Sequence, residues 1–513
     1  MKSFRSFIYS KSFNIAISVI FNIALFVYLA FFVNIIYYFA FCASITVLFF
    51  VGLLFKNSNS KMNFILLLMC TFIPFVGLTL FRYSSNVRGS KRLRVKWKEL
   101  TNLDTGYTEE QNNAVLETLS KKSALINKTS RYLHATLNAP VFENNSANFI
   151  SSGEKYAEEV CKNLKNAKKY IFIECSKMQD CAFWRNIFQI LKEKCFQGVE
   201  VKLLYDDYRS IKAFKDDKTF EKLFNHKIET MAFNPMRFGI GKISAHRNFN
   251  NTIIIDGEIA YSGLIGIDDK FTETPIVGDI PHQKIASSLY ICGDAVTSLT
   301  KNFVVNWNLF ASSDALVLEK YLPKTFAKVK NKNYIQPFEI NPLIKENVCK
   351  NIQNNLINCA AKSLWIMSPY LLIGSESKNA IVASARCGVD VNIIVSKQYK
   401  KSWQNELSYT NYGALIKEGV KIYTIDNTEL ESQIILADNS NLLIGAGNID
   451  SRKMYSPFQN GILVYSEEIA EKALSSIKSV LPYCKQLTYK SLKKRKIVKK
   501  LQGQVLKIFS PIM

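Results

Sequence analysis

Histidine is scarce in this chain: four in 513 residues, at His134, His226, His246 and His282, with none beyond Gln283. A reaction that takes one histidine from each half of the chain therefore lacks a residue. Acidic side chains are also few, 42 against 66 lysines and arginines, and none follows Glu471. The resulting formal charge of +24 points to an anionic partner, either nucleic acid or an acidic lipid surface. The 11 cysteines form no C-x-x-C pair and no Cys/His cluster, which leaves zinc-ribbon and dithiol redox chemistry without support. Scattered and odd in number, they read as reduced, mostly buried thiols and place the soluble part in the cytoplasm. No cofactor and no metal is expected.

Uncharged apolar sequence is plentiful at the start of the chain. Residues 13–33 (FNIAISVIFNIALFVYLAFFV), 35–55 (IIYYFAFCASITVLFFVGLLF) and 62–81 (MNFILLLMCTFIPFVGLTLF) each approach the roughly 20 apolar residues that cross a bilayer. A cleaved signal peptide would leave the second and third runs unexplained. These runs predict a multi-pass membrane anchor over residues 1–95, and they favour lipid over nucleic acid as the anionic partner. Only Asn34 parts the first two runs, so they form either a tight hairpin or one long segment. Arg82, Arg88, Lys91, Arg92, Arg94, Lys96 and Lys98 form a basic border, which the positive-inside rule assigns to the cytoplasm. Three crossings would put Lys2, Arg5 and Lys11 on the opposite side, so the two basic clusters conflict.

Beyond Lys98 the pattern is that of an α/β protein. A strand (AKKYIFIEC), an amphipathic helix, a glycine and a second strand (GVEVKLLYDD) follow one another. The order returns later as KSLWIMSPYLL, a helix and RCGVDVNIIVS. Further on, TIIIDGEIAYSG pairs with IILADNSNLLIGAGNID, each an apolar run ending in Asp, then a turn and a second strand that leads to Gly. Matching order in both halves predicts two copies of one unit in a pseudo-twofold arrangement, residues 96–335 and 336–513, with a site shared between them.

At these residues the chain resembles the cardiolipin synthase branch of the phospholipase D superfamily. KNSNSKMNFILLLMCTFIPFVGLTLFRY, GVEVKLLYDD, MAFNPMR, IIIDGEIAYSG, MSPYLL, GVKIY, IGAGNIDSR and the terminal SPIM occur in that family's order. The resemblance implies an α/β fold in which membrane helices precede two phospholipase D-like α/β/α domains. It also implies transfer of a phosphatidyl group from one phosphatidylglycerol to the glycerol hydroxyl of another. In that chemistry each half supplies an H-x-K-x-x-x-x-D motif. One histidine attacks phosphorus, the other protonates the leaving alkoxide, and the lysines and nearby asparagines stabilise the phosphate oxygens. No metal takes part.

Counting back seven residues from Asp256 reaches Phe249, with Asn251 at the lysine position. Counting back from Asp438 reaches Glu431, with Gln433 at the lysine position. Both aspartates are present and both His/Lys pairs are missing. Phenylalanine can neither attack nor transfer a proton. A glutamate can in principle do either, but it faces an anionic phosphodiester without its lysine. Downstream, Gly266 stands where an asparagine is usual, Asn448 is retained, and Gln459 replaces a glutamate. An insertion of three residues after Asn248 would make His246 the motif histidine and place Asn248 at the lysine. Against it, Arg247-Asn248 matches the family's Arg-Asn with no gap, and a shift of three reverses the facing of a continuous strand.

Asp206-Asp207 and Asp268-Asp269 are acidic pairs without a full ligand set and read as structural. Glu174, within YIFIEC, is a candidate for burial near the old site. The C-terminal SLKKRKIVKKLQGQVLKIFSPIM combines basic and spaced apolar residues, fitting either a helix on an anionic leaflet or a solvated tail. The sequence thus predicts a catalytically degenerate relative that binds an anionic phospholipid such as phosphatidylglycerol or cardiolipin, or pairs with an active homologue. An active phosphatidyltransferase working through Glu431 or His246 is the alternative.

Overall fold

The computed structural model describes residues 11–54, 60–85, 91–210, 227–235, 246–268, 271, 276–277, 280–281, 284–311, 315–323, 333–344, 346–397, 402–426, 428–445 and 457–509. His226, Asp269, His282, Gln283, Asn448 and the terminal SPIM lie outside them.

The N-terminal helix Lys11–Tyr28 continues as a π-helical turn, Leu29–Val33, and the chain becomes extended at Asn34 before the helix Ile35–Leu54. Two apolar stretches, Phe13–Val33 and Ile35–Gly52, are long enough to cross a bilayer. Asn22 donates to the Tyr38 hydroxyl at 2.9 Å, and the Phe26 and Tyr38 rings are 5.1 Å apart. Sixteen residues of unbroken helix would span about 24 Å, so Asn34 closes a hairpin. The third apolar run is not one span. It is cut at Pro74 into Ser60–Phe72 and Pro74–Ser85. A Cβ on Gly77 would come within 2.6 Å of the Cys70 Sγ, so the second helix folds back on the first. Thirteen helical residues reach only about 20 Å, short of a bilayer core of about 30 Å.

The remainder is built on two sheets. The first comprises β1 (Asn145–Ile150), β2 (Tyr170–Cys175), β3 (Glu200–Asp206), β4 (Glu229–Phe233), β6 (Asn251–Ile255), β7 (Ile259–Gly263) and β10 (Ser288–Gly293). Short β5 (Arg247–Asn248), β8 (Ile276–Val277) and β9 (Ile280–Pro281) lie off it. The second comprises β11 (Tyr334–Ile340), β12 (Ser363–Ser368), β13 (Asp390–Lys397), β14 (Lys421–Asp426), β15 (Ile434–Ala437), β16 (Asn441–Ile444), β17 (Pro457–Tyr465) and β18 (Cys484–Gln486). Strand order is β1-β10-β7-β6-β2-β3-β4 in one and β11-β17-β16-β15-β12-β13-β14-β18 in the other. The two orders superimpose strand for strand, and β18 is an addition at the far edge. The duplication read from the sequence is a duplication of topology.

Alternation along the strands sets the layers. Tyr170 and Phe172 of β2 join a central core with Trp365 and Met367 of β12, and this core contains the helices Val296–Phe310 and Glu467–Val480. Ile171 and Ile173 face the outer helices of the first half, and Leu364 and Ile366 those of the second. Helices Glu109–Lys122 and Ala124–Leu137 precede the first sheet in the chain, yet Leu116, Leu119, Ile126 and Leu133 pack with the second. Each large apolar side chain fully withdrawn from water stabilises the core by roughly 2 to 3 kcal/mol.

Gly-Val junctions repeat at the helix ends. Gly198, Gly388 and Gly419 adopt φ of 87°, 89° and 87°, where a side chain would be strained. The following Val199, Val389 and Val420 amides each donate five residues back, to Lys194, Ser384 and Leu415. This closes the helix and releases the chain into the next strand.

Candidate functional site

The two motif aspartates occupy equivalent places. Asp256 (φ 54°) and Gly257 (φ 72°) form the turn between β6 and β7, and Asp438 and Asn439 (both φ 53°) form the turn between β15 and β16. Asp, Asn and Gly are the residues that tolerate this left-handed region. The Asp256 carboxylate accepts the amides of Lys168, Lys169 and Tyr170 at 2.8, 2.7 and 2.9 Å. Asp438 accepts those of Ala361, Lys362 and Ser363 at 2.7, 2.7 and 3.0 Å. Each aspartate satisfies the orphan donors at the start of the adjoining central strand.

The strand read through position 249 is interrupted. β5 pairs in parallel with the start of β17, Arg247 opposite Pro457 and Asn248 opposite Phe458, and the Phe249 amide donates to the Phe458 carbonyl at 2.8 Å. β6 begins at Asn251 in the other sheet. The change of sheet thus falls between Phe249 and Asn251, so the motif positions from 249 to 256 do not lie on one continuous strand. His246 is buried, and its carbonyl accepts from the Asn234 side chain at 3.0 Å.

Phe249, at the first nucleophile position, lies under a cation: the Arg209 guanidinium sits 3.9 Å from its ring centroid. Asn251, at the lysine position, accepts from the Ser176 amide at 3.1 Å and hydroxyl at 3.0 Å. A Cβ on Gly266 would meet the Asn251 Oδ1 at 3.3 Å, so asparagine at 251 and glycine at 266 fit each other.

In the second half Glu431 is tied to the first half. Its amide donates to the Ile285 carbonyl at 2.8 Å, and its carboxylate pairs with Lys284 at 3.0 Å. Asp268 also reaches Lys284, at 3.5 Å. Burial pulls the Lys284 ammonium down, but Glu431, Asp268 and Glu429 together hold it above its ordinary value. The cation beside Glu431 thus comes from another strand connection. Gln433 itself is buried and accepts from Gln459 Nε2 at 3.3 Å, while that nitrogen also donates to the Gly445 carbonyl at 2.8 Å. Where the resemblance expects a lysine and a glutamate, the chain holds two neutral amides in contact.

Arg209 links the two motif positions. It stacks on Phe249 and feels Glu431 electrostatically, and among the described residues its Nη1 is buried without a hydrogen-bond partner. Burial lowers its affinity for the proton, opposed by Asp206 and Glu431, and a guanidinium stays charged throughout. Asp206 is engaged by the protein itself. Its carboxylate accepts the Arg209 and Asn248 amides, both at 2.8 Å, and faces Arg247 at 3.5 Å.

Beside this lies a second carboxylate site. Glu174 of β2 is buried and Glu339 of β11 half-buried at the junction of the halves. Asn250 Nδ2 donates to Glu174 at 3.2 Å and Glu339 at 3.1 Å, and Asn306 Nδ2 donates to them at 3.1 and 2.5 Å. Asn248 adds a bond to Glu174 at 2.6 Å. Burial raises Glu174 to about 7 despite these donors; burial and the neighbouring Glu174 charge raise Glu339 to about 8. Arg209, Lys284 and Glu339 escaped the sequence reading, because each acts on a residue far away in the chain.

Two sheets of one strand order, joined where their motif segments meet, define a duplicated α/β protein. The family described as "Cardiolipin synthase, PLD-like domain" matches residues 354–481. Cardiolipin synthase 1 of Staphylococcus aureus (strain MRSA252) is 29% identical over 372 residues, 72% of this chain and 74% of that protein. Cardiolipin synthase of Alkalihalophilus pseudofirmus is 25% identical over 468 residues, 90% of this chain and 92% of that one. The crystal structure of Haemophilus influenzae phosphatidylserine synthase shares the fold, with a TM-score of 0.56 and 14% identity over 75% of this chain and 97% of that one. The chain is thus similar to cardiolipin synthases along most of its length, and in fold to a phosphatidylserine synthase.

Proposed function

We propose that this protein has lost phosphatidyl transfer and binds the phosphate of an anionic phospholipid such as phosphatidylglycerol or cardiolipin, alone or as partner of an active synthase. The observation that carries the reading is Arg209 stacked on Phe249, with a buried Nη1 that has no acceptor among the described residues. A cation has been kept where the nucleophile is gone, and a phosphate oxygen is the acceptor that a guanidinium fits best. Neutralisation of Glu431 by Lys284 removes a charge that would repel such a ligand.

The same ion pair favours one other reading, in which Glu431 works as an altered nucleophile with Lys284 in place of the motif lysine. Purified protein incubated with labelled phosphatidylglycerol separates the two. Binding without cardiolipin or a trapped covalent phosphoenzyme is the expected result. Turnover abolished by Glu431→Ala or His246→Ala would establish the altered enzyme.

In the membrane, the hairpin of Phe13–Val33 and Ile35–Gly52 makes two crossings, and the folded-back pair after it is re-entrant. Both basic clusters then lie on one side, the cytoplasmic one, with the sheets. The conflict that three crossings created is absent from this arrangement.

A further inference from the structure

The helix Ile497–Phe509 is docked by one stripe and open on the other. Gly503 packs against the helix Ser402–Lys417, where a Cβ would stand 2.9 Å from the Glu406 carbonyl oxygen. Leu506 packs with Trp403 and Leu407. Just before the helix, Arg495 pairs with Glu406 and lies 3.8 Å from the Tyr409 ring centroid, which fixes the entry of the chain.

The opposite stripe carries Ile497, Val498, Leu501 and Val505, exposed by 81%, 71%, 67% and 47%. At 100° per residue these four fall within one face, turned away from Gly503 and Leu506. Such a stripe on a docked helix calls for a covering partner. The charge around it says which. Nine lysines and arginines lie between Lys485 and Lys507, and no acidic residue lies beyond Glu471. A protein groove able to take the apolar stripe would also need a ring of carboxylates. The surface of an anionic bilayer offers acyl chains beneath phosphates as a matter of course.

We propose that the Ile497–Phe509 helix is a second membrane contact, lying in the plane of an anionic leaflet with Ile497, Val498, Leu501 and Val505 in the acyl region. The contact is separate from phosphate binding at Arg209 and stands if that reading fails. It converts a protein tethered at its N-terminus into one held at two points. The second half is thereby fixed in orientation against the lipid, where a single tether would leave it to tumble.

The test uses the full chain in nanodiscs, with photoreactive benzoylphenylalanine replacing Leu501 and, in a parallel sample, Val505. Irradiation in phosphatidylglycerol discs is expected to give lipid adducts on the peptide at both positions. Joint Lys496→Gln, Lys500→Gln and Lys507→Gln substitution, which spares the docked stripe, is expected to reduce that yield by about tenfold or more. Adducts to a second copy of the chain at both positions, or no lipid adduct in phosphatidylglycerol discs, would overturn the proposal. A yield indifferent to the lysine changes would overturn its electrostatic part.

Discussion

Glu174 and Glu339, one from each half of the molecule, share the side-chain amides of Asn250 and Asn306, with no cation paired to either among the described residues. Two carboxylates on common donors, one buried and one half-buried, cannot both ionise cheaply, so the pair keeps a proton at neutral pH. Their folded-state values, about 7 and about 8, lie above the ordinary carboxylate value of 4.5. The folded protein therefore binds more protons than the unfolded chain between those limits, and stability falls as pH rises. The apparent unfolding midpoint of the detergent-solubilised chain is expected to drop from pH 5 to pH 9. Glu339→Gln removes one ionisation while preserving an acceptor for both amides, and should flatten that profile by on the order of 3 kcal/mol at the alkaline end. A profile unchanged by Glu339→Gln would mean that the pair carries no shared proton.

Asp256→Ala and Asp438→Ala each strand three backbone amides at the head of a central strand. Either is expected to destabilise its half by about 2 to 4 kcal/mol, measured by chemical denaturation. Asparagine retains the left-handed turn and one acceptor oxygen, so Asp256→Asn and Asp438→Asn should lose roughly half as much. Equal losses for Ala and Asn would show that the charge, rather than the turn, decides.

Gln433 and Gln459 form a coupled pair. Gln433→Lys alone puts a charge beside a neutral amide in a buried place and should be destabilising. Adding Gln459→Glu gives that charge a partner. A double-mutant cycle is expected to return a favourable coupling of about 1 to 3 kcal/mol; additivity would mean that the two side chains respond separately.

Headgroup binding should follow Arg209. With short-chain phosphatidylglycerol and the full chain in neutral detergent, Arg209→Ala is expected to weaken binding by about tenfold or more. Arg209→Lys keeps the charge but loses the planar stack on Phe249, and should fall between. Unchanged affinity in Arg209→Ala would remove the phosphate site from Arg209.

Much of the fold was legible because it is written in local signals. Strand alternation, the helix-Gly-Val-strand junctions and the two apolar-run-to-Asp segments repeat in order, and the duplicated topology follows from that order. Pro74 was equally visible, and a proline inside an apolar run is a reason to divide it. The interruption at Phe249 was not visible. It depends on the pairing of Asn248 with Phe458, more than two hundred residues away, and nothing in F-N-N announces it. Arg209 above Phe249 and Lys284 beside Glu431 have the same character. A sequence motif lists what one segment offers, whereas these cations arrive from other strand connections.

The three amides on Asp256 and the three on Asp438 separate two meanings that a motif letter can carry. In the H-x-K-x-x-x-x-D pattern that the resemblance supplies, the last position here holds the start of a neighbouring strand, so folding alone is reason enough for an aspartate there. An aspartate standing by itself at the end of such an apolar run then dates the architecture and says nothing about turnover.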